Sequence, residues 1–294
     1  MVAVSVIMTA FNAGQFLAEA VSSIVNQDFS DWELILVDNS STDGSIERLT
    51  VLDSRIQLIR LPQNIGRTSA LIIAMSRAKG EFCGVLDADD IAMNNRLQFQ
   101  VDYLRRNLEV VLLGSLVVEL LDNGHESLKN SPSGLISHDQ LAERNVFVHS
   151  SVMFRREVCV SIGGYDERFR YAQDYDLFQR FAMVGECHIL NVPLTKLRIH
   201  PNSETRKSGG QNVRIADELA LAELAPKRLN LSLRGMQLNK RRQALCILER
   251  AWHEFRRAKF LSAVWLFRDV ICRDPKMSWL FYLVRGRPTP LDLG

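Results

Sequence analysis

The chain has 294 residues, 47% hydrophobic and 24% charged, enough for about two domains and a sizeable core. That composition excludes collagen-like, low-complexity and wholly disordered chains. The net charge of +2, from 36 basic and 34 acidic residues, excludes a polyelectrolyte that holds nucleic acid through its overall charge.

The charge is unevenly spread. Residues 1–210 hold 20 basic and 26 acidic side chains, and residues 211–294 hold 16 and 8. A mildly acidic body with a basic tail suggests two regions with different tasks. The five cysteines, Cys83, Cys159, Cys187, Cys246 and Cys272, are odd in number and widely spaced, with no CxxC. They read as reduced thiols, not as a disulfide framework or zinc site. The longest apolar stretch, Val110 to Leu121, is interrupted by Glu119 and falls short of the ~18–20 residues of a membrane-spanning helix. With no basic region ahead of the apolar N-terminus, the expectation is a soluble, cytoplasmic chain, or one held at the inner face of the membrane.

Val2 to Thr9 is a near-continuous Val/Ile run that stops at Ala10-Phe11-Asn12-Ala13-Gly14, the pattern of a strand buried on both faces. The pairs Phe16/Leu17, Ala20/Val21 and Ile24/Val25 recur every four residues, predicting an amphipathic helix. Glu33 to Val37 is a second strand, ending at Asp38, and Thr42-Asp43-Gly44 predicts the start of another helix. The pattern repeats with a strand at Ile56–Arg60, a turn at Asn64-Ile65-Gly66, a helix over Thr68–Ala78, and a strand at Phe82–Leu86 ending in Asp87-Ala88-Asp89-Asp90. Such alternation implies right-handed βαβ units and a parallel sheet.

After residue 100 the rhythm becomes mixed α+β and completes the same sheet. A helix over Asn94–Arg106 leads to strands at Val110–Gly114 and Leu116–Leu121, a hairpin signal at Asp122-Asn123-Gly124, and a polar loop over Ser127–Gly134. Further strands are expected at Ser151–Phe154, Cys187–Leu190 and Thr195–Ile199, with a helix over Ala172–Met183. Ser203–Gln211 reads as a linker. Basic helices follow over Ile215–Leu224, Ala244–Ala258 and Leu261–Ile271, and Pro275, Pro288 and Pro290 punctuate the end.

In open parallel sheets ligands bind outside the carboxyl ends of the strands. Those ends carry Thr9-Ala10-Phe11-Asn12, Asp38 and Asp87-Ala88-Asp89. Any one strand-end Asp can simply cap the next helix. Three carboxylates on one edge, with Asp90 beside them, repel one another unless a cation or hydrogen-bond donors neutralise them. Without matching Cys or His spacing, the cluster suits Mg²⁺ or Mn²⁺, ions that complete their shells with phosphate oxygens. No GxxxxGK[ST] loop and no GxGxxG follows the first strand, which argues against a P-loop hydrolase and a dinucleotide dehydrogenase.

The opening segment, Ser5 to Ser45, resembles the start of the family 2 glycosyltransferases, whose fold is GT-A. The resemblance continues through Asn64-Ile65-Gly66, Asp87-Ala88-Asp89, His149-Ser150-Ser151, Gly163-Gly164-Tyr165-Asp166, Gln173-Asp174-Tyr175-Asp176-Leu177 and Arg198-Ile199-His200. A lone DxD is weak, but this ordered series over residues 1–205 is specific. It implies an α/β fold, Rossmann-like, with a mostly parallel central sheet flanked by helices and a C-terminal helical extension. It further implies a catalytic domain at 1–210 (a nucleotide-sugar and metal half at 1–100, an acceptor half at 101–210) and a basic helical region at 211–294.

The same resemblance implies an inverting sugar transfer from a nucleotide-diphosphate sugar to a glycan or lipid-linked acceptor, as in cell-surface polysaccharide biosynthesis. Thr9, Ala10 and Asn12 would line the base and ribose pocket. Asp38 would accept a base N–H, which fits uracil or thymine, although guanine also offers one. Asn64, Gly66 and Arg67 would lie near the nucleotide, with Ala88 beside it. Asp87 would contact the ribose or a metal-bound water, and Asp89 would hold Mn²⁺ or Mg²⁺ with His200 as a candidate partner. Asp174 would be the base, with His149 and Gln173 on the acceptor side, and Asp176 would bond the scaffold. Two residues depart from the pattern: Asn39 stands where many relatives carry Asp, and Gln173 where they carry Glu.

The basic tail sets Arg and Lys among Trp252, Phe255, Phe260, Trp265 and Phe267. It reads either as helices packed on the catalytic domain or as a peripheral contact with an anionic membrane. Nucleic acid is not expected as a partner. Two rival functions are a non-catalytic nucleotide-sugar-binding scaffold and a nucleotidyltransferase. The intact Asp87, Asp89 and Asp174 weigh against the first, and the lack of a glycine-rich basic loop after strand one weighs against the second.

Overall fold

The computed structural model describes residues 2–50, 53–200, 211–256, 266, 269 and 270. Contacts divide the chain into two units, Met1–Ser137 with Asn145–Lys207, and His138–Arg144 with Ser208–Gly294.

The first unit is built on one sheet. Its first half consists of β1 (Val4–Ala10), α1 (Phe16–Val25), β2 (Trp32–Asp38), β3 (Ile56–Arg60), α2 (Arg67–Arg77) and β4 (Phe82–Val85). The strands align in the order β3-β2-β1-β4, joined by parallel ladders. Burial explains the Val/Ile runs, since every residue of β1 except half-buried Thr9 is buried. α1 buries Leu17, Ala20, Val21 and Ile24 against β1 and β2, the i, i+3, i+4, i+7 face of an amphipathic helix.

The second half adds β5 (Ile91–Ala92), α3 (Arg96–Arg106), β6 (Val110–Leu121), β7 (Glu126–Leu128) and β8 (Gly134–Leu135). It continues with a 3-10 turn (His149–Ser151), β9 (Met153–Arg155), α5 (Arg156–Ser161), α6 (Gln173–Ala182) and β10 (Glu186–Ile199), with α4 (His138–Glu143) belonging to the other unit. The sheet extends as β4-β9-β6-β10-β5, where β9 runs antiparallel to both neighbours and β6 and β10 are parallel. The fold is thus α/β with a central sheet flanked by helices.

Four expectations change, one being the polar loop over Ser127–Gly134, whose ends belong to β7 and β8. Thr42-Asp43-Gly44 opens a single turn over residues 45–48, not a helix, because the Asp43 carboxylate accepts the Gly14 N–H as well as the Ser45 N–H and hydroxyl. Two predicted strands merge into β6, and two others merge into β10. Register shifts between Leu190 and Thr195 absorb Asn191-Val192-Pro193 without ending β10.

Ser5 ties the sheet to the loop before β4. Its buried hydroxyl donates to Glu33 Oε1 at 2.6 Å and accepts the Gly80 N–H at 2.8 Å. A Cβ on Gly80 would lie 2.5 Å from Ser5 N and 2.7 Å from Phe82 O. Gly80→Ala is therefore expected to destabilise the protein by about 1–3 kcal/mol, read as a lower urea midpoint at unchanged slope.

The second unit contains α4, α7 (Gln211–Arg228) and α8 (Leu233–Arg256). Asp139 in α4 accepts the Ser232 N–H at 3.0 Å and the Ser232 hydroxyl, and Arg242 of α8 donates to Ala142 O. Ser203–Gly210, Pro275, Pro288, Pro290 and most of Leu261–Ile271 lie outside the described residues, and Gln211 already belongs to α7. Among the described residues, no helix is long and apolar enough to cross a membrane.

Candidate active site

The carboxyl ends of β1 and β2 are laced together by loop residues. Past buried Ala10, Asn12 takes a left-handed φ of +51°. Its Oδ1 accepts the Thr42 N–H at 2.8 Å, and its N–H donates to Ser41 Oγ at 3.1 Å. Asp38 is buried, and its Oδ1 accepts the Ser41 N–H at 2.8 Å.

Asn39 uses both ends of its amide. Nδ2 donates to Asn64 Oδ1 at 3.1 Å, while Oδ1 accepts the Ile65 N–H at 2.9 Å. Asn64 Oδ1 also accepts the Gly66 N–H. A carboxylate at position 39 could only accept, so this departure from the family pattern has a local explanation. Gly66, at φ +88°, then turns the chain into α2 and presents Arg67.

Arg67 Nη2 donates to Asp87 Oδ1 at 2.5 Å. Burial by itself would raise the Asp87 pKa, but the Arg67 charge prevails and holds it well below the usual carboxylate range. Conversely, Asp87, Asp174 and Asp89 raise the Arg67 pKa against the effect of burial.

Asp87 to Asp90 form a tight turn closed by the Asp90 N–H on Asp87 O at 3.1 Å. The Asp87 N–H donates to Ser150 Oγ. Asp89 Oδ2 lies 3.0 Å from His200 Nε2, and Arg198 Nε donates to Asp89 O at 3.0 Å. The Arg198 N–H donates to Asp90 Oδ1 at 2.8 Å, and its guanidinium pairs with Glu19 while lying over the Phe16 ring.

Asp90 is only 2% exposed, with Oδ2 unpartnered among the described residues. Burial, then the charges of Asp89 and Asp87, push its pKa well above the ordinary value. One oxygen from each of Asp87, Asp89 and Asp90 falls within 4.8 Å of the others. Such a set of hard oxygen donors with an adjoining imidazole fits a divalent cation of the Mg²⁺/Mn²⁺ type. A cavity of about 380 Å³ opens beside His200, lined also by Gln15, Phe16, Leu120, Leu121, Asp122 and Arg198.

Helix α6 begins at Gln173. Asp174, half-buried, accepts from Asn145 Nδ2 at 3.1 Å. Gln173 is 3% exposed, with Oε1 unpartnered among the described residues. Asp176 is fully buried and receives Arg180 Nη2 at 2.5 Å, while Arg180 Nη1 donates to Ile162 O, which makes it a scaffold residue. His149 sits behind Arg67 and Asp87.

Contacts thus join Arg67 to Asp87 and His149, and Asp89 to His200. Thr9 and Ala10 end β1, Asn12 and Asp38 bond the loop at residues 41–42, Asn64 bonds Asn39, and Asp174 bonds Asn145. Sequence reasoning assigned no role to Arg198, Tyr165 or Asn145. The first two lie in motifs that were recognisable, whereas Asn145 carries no sequence signal.

Comparison with known proteins identifies the family. Residues 5–163 match the family described as Glycosyl transferase family 2. The chain is 32% identical over 240 residues to EpsE of Bacillus subtilis (strain 168), provisionally named a glycosyltransferase, across 78% of this chain and 84% of EpsE. It is 32% identical over 218 residues to the O-antigen biosynthesis glycosyltransferase WbnJ of Escherichia coli, across 70% of this chain and 82% of WbnJ. Its fold is similar to that of S. aureus TarS 1–349, solved in complex with UDP-GlcNAc, with a TM-score of 0.69 at 14% identity over 92% of this chain and 79% of TarS. The chain is a glycosyltransferase of the GT-A fold and belongs to glycosyl transferase family 2.

Proposed function

We propose that this chain transfers a glycosyl group, with inversion, from a nucleoside diphosphate sugar to a hydroxyl of a glycan or lipid-linked glycan. The carrying observation is the cluster of Asp87, Asp89 and Asp90 just past the end of β4, with the Arg67 guanidinium paired to Asp87 at 2.5 Å. This sets a cation beside hard oxygen donors, as a metal-bound diphosphate requires, and the charge of Asp174 also helps raise the Arg67 pKa. UDP-sugars are the first donors to test, because TarS was solved with UDP-GlcNAc and with UDP. The kinship with WbnJ supports a role in surface polysaccharide assembly.

In this reading Asp38 accepts the base N–H, while Thr9, Ala10, Asn12, Asn64, Gly66 and Ala88 shape the nucleotide pocket. Asp174 takes the proton of the acceptor hydroxyl as its oxygen bonds the anomeric carbon. The bond from that carbon to the diphosphate breaks in the same step, and Arg67 stabilises the charge that gathers on the leaving group. Asp89 and His200 would hold a divalent ion, Mn²⁺ or Mg²⁺, whose chemistry there is Lewis-acid stabilisation of the diphosphate. Gln173, beside the base, belongs to the acceptor side. We assign residues 1–210 to catalysis, in the cytoplasm. Exposed Arg234, Lys240, Arg241 and Arg250 of α8 support contact of the basic C-terminal region with an anionic membrane surface.

The test is UDP release from a panel of UDP-sugars, with Mn²⁺ or with EDTA. Release is expected to require metal and to fall to the EDTA level in Asp89→Ala. Thymidine and guanosine diphosphate sugars follow if UDP-sugars are inert. Failure of every nucleotide sugar to bind in calorimetry would leave the scaffold reading in place.

A further inference from the structure

Two stretches have no part in the chemistry above, His149-Ser150-Ser151 and Gly163-Gly164-Tyr165-Asp166. The structure joins them. Gly163 and Gly164 take φ values of +90° and +63°, and the Gly164 N–H closes on Cys159 O at 2.8 Å. This left-handed pair, which side-chain-bearing residues rarely adopt, ends α5 and leads Tyr165 inward, where 5% of it remains exposed. The Tyr165 hydroxyl lies 2.8 Å from His149 Nε2, with the two rings edge-on. The other imidazole nitrogen, Nδ1, lies 3.0 Å from Arg67 Nη2.

A guanidinium offers only hydrogens, so Nδ1 accepts in the 3.0 Å contact with Arg67. This contact prevails over the longer 3.4 Å approach of Nδ1 to Asp87 Oδ1, which would need a hydrogen on Nδ1. Nε2 then carries the ring hydrogen and donates to the Tyr165 oxygen. The two hydrogens of Arg67 Nη2 thus serve two acceptors, Asp87 Oδ1 at 2.5 Å and His149 Nδ1 at 3.0 Å. One carboxylate contact leaves a long side chain free to pivot about it, and a second acceptor at a fixed angle removes that freedom. A neutral ring does this without cancelling the cation's charge, as a second carboxylate would.

We propose that His149 and Tyr165 are positioning residues for the Arg67 guanidinium, so that the glycine-turned loop at 163–166 fixes where the leaving-group charge is stabilised. This rests on the reading of Arg67 given above.

The experiment is a double-mutant cycle combined with imidazole ¹⁵N spectroscopy. Tyr165→Phe keeps the ring and removes the hydroxyl. It is expected to lower kcat about three- to tenfold, the scale of one hydrogen bond, with donor KM nearly unchanged. In an Arg67→Met background the same change costs nothing further, because the group being positioned is gone. In the free wild-type protein the His149 resonances, assigned by their loss in His149→Leu, report Nδ1 without a hydrogen, and Arg67→Met erases that preference. Equal fractional loss of kcat in both backgrounds, or a hydrogen on Nδ1 in the wild type, overturns the proposal. If the wild type turns over no nucleotide sugar, the functional reading falls and the imidazole spectrum alone decides the positioning role.

Discussion

Replacing Asp174 by Asn is expected to lower kcat by about 10²–10⁴-fold, the range for loss of a general base, with nucleotide affinity unchanged. The substitution is nearly isosteric, and an amide oxygen still accepts the hydrogen bond from Asn145 Nδ2. Asp174 stands at the start of α6, whereas the residues proposed to bind the nucleotide stand at strand ends and their loops. The loss should therefore fall on turnover with acceptor and not on UDP binding measured by calorimetry. Retention of full turnover would require a different base. Asp176 is a poor substitute, since it is fully buried and bonded to Arg180.

Arg67→Met is expected to lower kcat by about 10²–10³-fold, the cost of removing one preorganised charge-stabilising group. It also has a signature away from the reaction. In the folded protein Arg67 holds Asp87 well below its ordinary value of 3.8. A depressed folded-state pKa contributes stability that is present above the unfolded-state value and lost as pH falls through the folded one. The wild type should therefore exceed Arg67→Met in urea stability at pH 7, and that advantage should shrink as the pH drops below about 4, where the unfolded chain's Asp87 takes up a proton. A stability gap that stays constant between pH 7 and pH 2.5 would show that the pair contributes nothing through charge.

Strands β1, β2 and β4 were legible because each is a mostly apolar, buried run, with Asp38 closing β2 and Asp87 following β4 by two residues. Asp38, Asp87 and Asp89 announce themselves by position. Asp174 does not, since an Asp in the first turn of a helix is ordinary, and only the family resemblance singled it out. What stayed hidden depends on pairing between distant segments. Nothing local in Asp43 tells that its carboxylate is engaged by Gly14, 29 residues earlier, so a helix start was expected where one turn forms. The link from Arg67 to His149 spans 82 residues, and the orphaned oxygen of Asp90 follows from burial that the run Asp-Ala-Asp-Asp does not display. Local propensity reaches the elements, and contact order decides the site.

The strand β10 has a consequence for how this chain tolerates changes in length. Its last stretch, Thr195 to Ile199, pairs without interruption with Val117 to Leu121. Arg198 and His200, two residues apart, both reach the turn at Asp89. Because side chains alternate across a strand, inserting or deleting one residue within 195–199 would swing both to the opposite face and strip the turn of its partners. A few residues upstream the ladder already slips between Leu190 and Pro193 and again between Pro193 and Thr195, so one residue more or fewer there can be taken up as a changed bulge. Natural length variation in this strand should therefore collect around residues 190–193 and be absent from 195–199.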